Sequence, residues 1–155
     1  MHEPAVVEYP PVTFIGVETP THVGDLPNVI PAGLSTVMAS NKGNLRGAPR
    51  VYYTEWSDGK GVAWIGFPAA PSALPGEGTV TKEIPGGTAV VLQHVGPYNQ
   101  LMRTWDAVMA AASASADYSM TGFSWEDYVD PGHQPGEEPK TDIYVQVVRH
   151  GCASE

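Results

Sequence analysis

The stretch Phe123-Ser124-Trp125-Glu126-Asp127-Tyr128-Val129-Asp130-Pro131 decides how this chain is read. Its aromatic and β-branched residues, closed by Asp-Pro, predict a strand. Side chains alternate along a strand. Ser124, Glu126 and Tyr128 therefore share one face, and Phe123, Trp125 and Val129 share the other. The second face is apolar enough to lie on a core. The first sets a carboxylate one step from a phenol. Two readings follow. Either Glu126 is solvated on an exposed sheet face, as most carboxylates are. Or the face lines a cavity, where a negative charge among π surfaces suits an aromatic cation.

Just upstream, Leu101, Met102, Trp105, Val108, Met109 and Ala112 recur at helical spacing and predict an amphipathic helix after Tyr98. Downstream, residues 130–140 read as a loop rich in Gly, Pro and Glu. Thr141 to Val148 reads as a last strand, and Arg149 to Glu155 as a frayed tail. Towards the N-terminus, Thr79 to Ile84 and Thr88 to His94 read as a strand pair around Pro85-Gly86-Gly87. Residues 68–78 read as a linker. Arg50 to Ser57 and Val62 to Ala69 pair through Asp58-Gly59. Leu26, Val29, Ile30, Leu34, Val37 and Met38 predict a first helix, with Asn28 as its cap, Pro31 in its first turn and a stop near Asn41-Lys42-Gly43. Val6 to Glu18 reads as strand broken at Pro10-Pro11, after a loose end at Met1 to Pro4.

These elements repeat. His22-Val23-Gly24 recurs as His94-Val95-Gly96, 72 residues on. Val37-Met38-Ala39 recurs as Val108-Met109-Ala110, and Glu55 as Glu126, each 71 residues on. Each half then reads strand, helix, strand, strand. The expected architecture is α+β: two pseudo-repeats at about 5–70 and 79–149 within one domain of residues 1–155, related by a pseudo-twofold axis. It has an antiparallel sheet, two helices on one side and a central cleft suited to a ligand.

Composition narrows the function. A formal net charge of −9 argues against direct nucleic-acid binding, which draws its affinity from Lys and Arg on phosphates. It is compatible with cationic ligands or a basic protein partner. The single cysteine, Cys152, excludes an internal disulfide and a Cys-based metal site. No apolar run is long enough to span a bilayer, and no apolar segment of signal-peptide type follows His2 and Glu3. A cytoplasmic protein is expected. Neither His22 nor His94 has a second ligand at metal spacing, so both read as structural turns before a helix. The Gly-rich segments match no phosphate-binding pattern, and neither a nucleophile elbow nor a zinc signature is present. No cofactor and no metal are expected.

The run Ile84-Pro85-Gly86-Gly87-Thr88-Ala89-Val90, then His94-Val95-Gly96-Pro97-Tyr98-Asn99-Gln100-Leu101, then Trp125 to Pro131, then Thr141-Asp142-Ile143-Tyr144-Val145, resembles the GyrI-like small-molecule-binding domain. This is the effector-binding domain of AraC- and MerR-type multidrug regulators. The resemblance implies a duplicated strand-helix-strand-strand fold in which a Glu at the position of Glu126 faces lipophilic, cationic aromatic compounds, with Tyr and Trp side chains stacking on them. It carries over to Glu126, Tyr128 and Tyr144, and to Tyr98 of the His-Val-Gly-Pro-Tyr motif. Tyr53 and Glu55 follow only from the internal repeat. Trp105 and Trp125 read as core packing or as walls of the cleft. A helix-turn-helix is not apparent in the sequence, so a stand-alone binding protein fits better than direct transcriptional control.

Three functions follow. The first is binding of lipophilic, often cationic, aromatic molecules for sensing or sequestration. The second, implied by the resemblance, is hydrolysis of strained electrophiles such as cyclopropane-containing genotoxins. There Glu126 would activate water, with a carboxyl pKa raised by its aromatic walls, and a phenol such as Tyr144 would donate to it. The third is protein-level inhibition of DNA gyrase, or partnership with a regulator.

Overall fold

The computed structural model describes residues 3–130 and 137–149. The Cys152 tail and most of the loop expected at 130–140 lie outside the described residues. The chain runs through β1 (Ala5–Tyr9), β2 (Val12–His22), α1 (Leu26–Ser40), β3 (Arg50–Ser57), β4 (Lys60–Pro68), β5 (Val80–Ile84), β6 (Gly87–Val95), α2 (Leu101–Ala114), β7 (Tyr118–Asp130) and β8 (Lys140–Arg149). Both expected strand-helix-strand-strand runs are present, as β2-α1-β3-β4 and β6-α2-β7-β8. The fold class is α+β with antiparallel strand pairing throughout the described pairs.

The chain divides into two compact units. In Pro10–Gly86, β2 pairs with β4 and β5, and β4 pairs with β3. The β3–β4 turn is the Asp58-Gly59 hairpin, with φ of 54° and 78° at its two central residues. Those positive values are what a type I′ turn requires. Helix α1 covers one sheet face, where Ile15, Val37, Phe67 and Ala69 form a core with Val17 and Leu34 against it. The helix begins one turn earlier than expected. Asn28 does not cap it; its amide donates to Asp25 Oδ1 at 3.0 Å. Pro27 occupies the first turn, where proline's fixed φ is already helical, and Pro31 falls inside the helix.

In the other unit, β6 pairs with β1 and β8, and β8 pairs with β7. Helix α2 covers this sheet over a core of Val90, Leu92, Val108, Ala112, Ile143, Val145 and Val147.

The hairpin expected around Pro85-Gly86-Gly87 does not form. β5 pairs with β2 and β6 pairs with β1. The reason is local. A two-residue hairpin turn needs positive φ at its first central position, and proline holds φ near about −65°. Pro85 blocks that turn, and Pro10 blocks it between β1 and β2. Each short strand therefore pairs in the unit that its neighbour in sequence does not join. The units divide at Tyr9/Pro10 and Gly86/Gly87 rather than at the repeat limits of 5–70 and 79–149.

Residues 68–78 are not a slack linker. Asn41, 2% exposed at the end of α1, donates to Val37 O (3.0 Å) and Thr79 Oγ1 (3.3 Å), and accepts from the Gly76 amide (2.7 Å). Ser40 Oγ donates to Glu77 O at 2.9 Å. One side chain thus closes the helix and pins the following strap. Asn41→Ala leaves the Gly76 N–H without its acceptor, and should destabilise the fold by about 2–4 kcal/mol. Urea unfolding would measure it, and a loss under about 0.5 kcal/mol, the usual surface value, would refute it.

Among the described residues no helix is long and apolar enough to cross a membrane.

Candidate ligand-binding site

Strand β7 positions the acid. Its register sets Trp125 opposite Tyr144 and Glu126 opposite Ile143. Ile143 belongs to the core under α2, so Glu126 faces the helix. It is 4% exposed, which rules out the solvated reading. Trp105, on α2, donates its indole N–H to Glu126 Oε2 at 2.5 Å. Tyr128, two residues along the same strand face, donates its hydroxyl to Oε1 at 2.5 Å. The Tyr98 ring meets Tyr128 edge-on, with centroids 6.0 Å apart. A carboxyl group, two donors and three aromatic rings are thereby assembled within one unit.

Tyr98 is half exposed, in the 3-10 turn that leads into α2. Burial first, and then the negative charges of Glu126 and Asp130, raise its phenol above the ordinary 10.0. The unfolded chain therefore ionises before the folded one. Stability is intact below pH about 10 and falls as pH rises from there through the higher folded value. Tyr98→Phe should remove that alkaline loss. Glu126→Gln should move the phenol's ionisation, followed by phenolate absorbance, back towards the ordinary value. An unmoved titration would show that the two groups do not sense each other.

The remaining expected residues lie elsewhere. Tyr144 sits on the sheet face opposite Glu126 and stacks on Trp125, with centroids 4.7 Å apart and planes within 9°. The phenol that reaches Glu126 is thus Tyr128, not Tyr144. Trp125, 2% exposed, also takes Tyr9 edge-on at 4.9 Å and Phe123 at 5.9 Å, so it packs in an aromatic cluster away from the acid. In the other unit Tyr53 is buried against Trp56, with centroids 5.5 Å apart. Glu55, the repeat-mate of Glu126, is exposed with φ of 58° at a bulge between Thr54 and Ser57. The bulge breaks the alternation, so the repeat does not carry the acid's environment across.

The two His-Val-Gly motifs part in the same way. His94 is buried, with Nδ1 2.7 Å from Thr104 Oγ1 and Nε2 3.0 Å from Pro97 O. A carbonyl only accepts, so Nε2 carries the proton there. His22 is exposed. By the 71-residue offset of the two helices, the position matching Thr104 is Gly33, which has no hydroxyl to offer. Sequence reasoning missed Thr104. Its signal was a threonine on the inward stripe of α2, which is Thr104, Val108 and Ala112. Met102 and Met109, expected on that stripe, are exposed.

The chain belongs to the GyrI-like family: the model of the GyrI-like small molecule binding domain matches residues 2–148. It is a small-molecule-binding domain of that family. Among solved structures it resembles the EcmrR C-terminal domain (21% identity, TM-score 0.76, 96% of this chain and 98% of that one). It resembles EcmrR in its complex with DNA at 22% identity and TM-score 0.75, covering 94% of this chain but only 57% of that longer one. SAV2435 bound to tetraphenylphosphonium matches at 16% identity and TM-score 0.68, over 99% of this chain and 98% of that one. At such identities the likeness establishes the fold. No curated protein matches the sequence.

Proposed function

We propose that this protein binds lipophilic aromatic cations through Glu126, with Trp105, Tyr128 and Tyr98 as the surrounding rings. The observation that carries the reading is the carboxylate itself: 4% exposed, it accepts from an indole and a phenol on the aromatic side of β7. A carboxylate set among aromatic rings favours a cationic ligand, because Coulombic attraction and the ring faces act on the same charge. Aromatic faces add cation–π attraction and apolar area. The occupancy of SAV2435 by tetraphenylphosphonium, a lipophilic cation, supports the same ligand class.

The carboxylate acts here as a counter-ion rather than as a base. Both of its oxygens already accept hydrogen bonds, so its lone pairs are less available to take a proton from water. The gyrase-inhibitor reading draws no support from this geometry.

Tryptophan fluorescence supplies the test, because Trp105 touches the acid. Tetraphenylphosphonium should quench it at micromolar concentration. Neutral triphenylphosphine oxide should bind at least about tenfold more weakly. Equal affinity for the two would exclude a charge-based site.

A further inference from the structure

Val-Met-Ala, the motif repeated in the two helices, has no part in the site on β7. Val37 and Val108 are fully buried in the two cores, and the next residue along a helix turns about 100° away from its predecessor. Met38 and Met109 therefore face outward. Met102 lies two turns before Met109, on the same outer face of α2. Ser113 stands one turn beyond Met109, and its hydroxyl donates to the sulfur of Met120 on β7 at 4.0 Å, so Met120 continues the strip. Among the described residues every methionine is exposed, from 38% at Met120 to 58% at Met102, and neither core contains one. Methionine ordinarily fills gaps inside cores.

We propose that Met38, Met102, Met109 and Met120 are oxidation sites, at which the chain consumes peroxide-class oxidants without losing its fold. A thioether reacts where an oxidant can reach its sulfur. The sulfur lone pair attacks one peroxide oxygen and the O–O bond breaks. Sulfur keeps that oxygen as a sulfoxide, and the departing hydroxide takes its proton and leaves as water. Methionine is oxidised and peroxide is reduced, with no further reactant. A sulfoxide is polar, and inside a core it disrupts packing. At these positions it projects into solvent instead. The two cores, built from Val, Ile, Leu, Ala and Phe, hold no sulfur to oxidise. The Ser113 contact and the lowest exposure of the set make Met120 the slowest to react.

The test is hydrogen peroxide treatment of the intact protein at neutral pH, followed by peptide mass spectrometry and urea unfolding. Each of these methionines should gain one oxygen within about threefold of its rate in the urea-unfolded chain, Met102 first and Met120 last. The fully oxidised protein should keep its circular dichroism and its urea midpoint. Leu92→Met supplies the contrast. Leu92 is 2% exposed, and exchange of Leu for Met is well tolerated in a core. The thioether placed there should oxidise at least about tenfold more slowly than in the unfolded chain, and its oxidation should lower the midpoint. Protection of any of the native four by more than about threefold would show that its sulfur is covered in solution. A lowered midpoint after their oxidation would show that they carry packing. A core thioether that oxidises as fast as they do would show that exposure does not govern the reaction. Any of these three results overturns the proposal.

Discussion

Glu126→Gln is expected to weaken tetraphenylphosphonium binding by about thirtyfold and to leave triphenylphosphine oxide within about twofold. The substitution removes a charge and little else. Gln keeps the shape and one acceptor oxygen. Trp105 can only donate, so the amide oxygen must turn towards it. The amide NH₂ then faces Tyr128, whose hydroxyl can reverse and accept. The fold and the packing around residue 126 should persist, and only the Coulombic attraction is lost. At about 4 Å and an effective dielectric near 20 that attraction is about 4 kcal/mol before desolvation is subtracted, which leaves room for a thirtyfold effect. Glu126→Ala is the contrasting case: it strands the indole N–H beside a cavity and should lower stability as well as affinity. Calorimetric titration of both ligands checks the result. A parallel loss for cation and neutral would mean that the acid matters for shape and not for charge.

The second large effect concerns the sheet and not the site. Gly66→Ala should destabilise the protein by at least about 3 kcal/mol, a large share of an ordinary domain's stability. Gly66 pairs with Gly16 across β4 and β2. A Cβ on Gly66 would lie 2.0 Å from Ile15 O and 2.6 Å from Gly16 Cα, and both are backbone atoms that no rotamer change can move aside. The strands would have to separate. The Phe14 ring lies over Gly16 and meets Tyr52 edge-on at 4.9 Å, so the disturbance would spread into that aromatic pair. Gly24→Ala is the control. Its nearest neighbour would be the movable His22 ring at 3.3 Å, and a change within about 0.5 kcal/mol is expected. Thermal or urea unfolding compares the two. Similar stabilities would show that β2 and β4 can part without penalty.

Much of the fold is legible along the chain. Arg50 to Ser57 and the Asp58-Gly59 turn appear as the residues predict, because β-branched alternation and an αL-tolerant pair are local signals. The duplicated element order follows from the His-Val-Gly and Val-Met-Ala spacings. Within the site, the meeting of Glu126 and Tyr128 is legible too, since i and i+2 on a strand share a face. Trp105 as a donor was not, because its ring sits on an apolar helix stripe where packing alone accounts for it. Tyr144 was misplaced for a different reason. Its face depends on which residue of β7 stands opposite, and a shift of one residue would have reversed it.

Taken alone, the order of residues determined the succession of strands and helices, the duplication, and an acid with a phenol on one face of β7. These depend on periods of two and 3.6 residues and on turn chemistry, all settled within a few residues of chain. Only the folded molecule decided that β1 pairs with β6 and β5 with β2, that Glu55 is exposed while Glu126 is buried, and that an indole from α2 holds the carboxylate. Those outcomes rest on hydrogen bonds and packing between segments tens of residues apart, and no local periodicity specifies the partner of a distant strand.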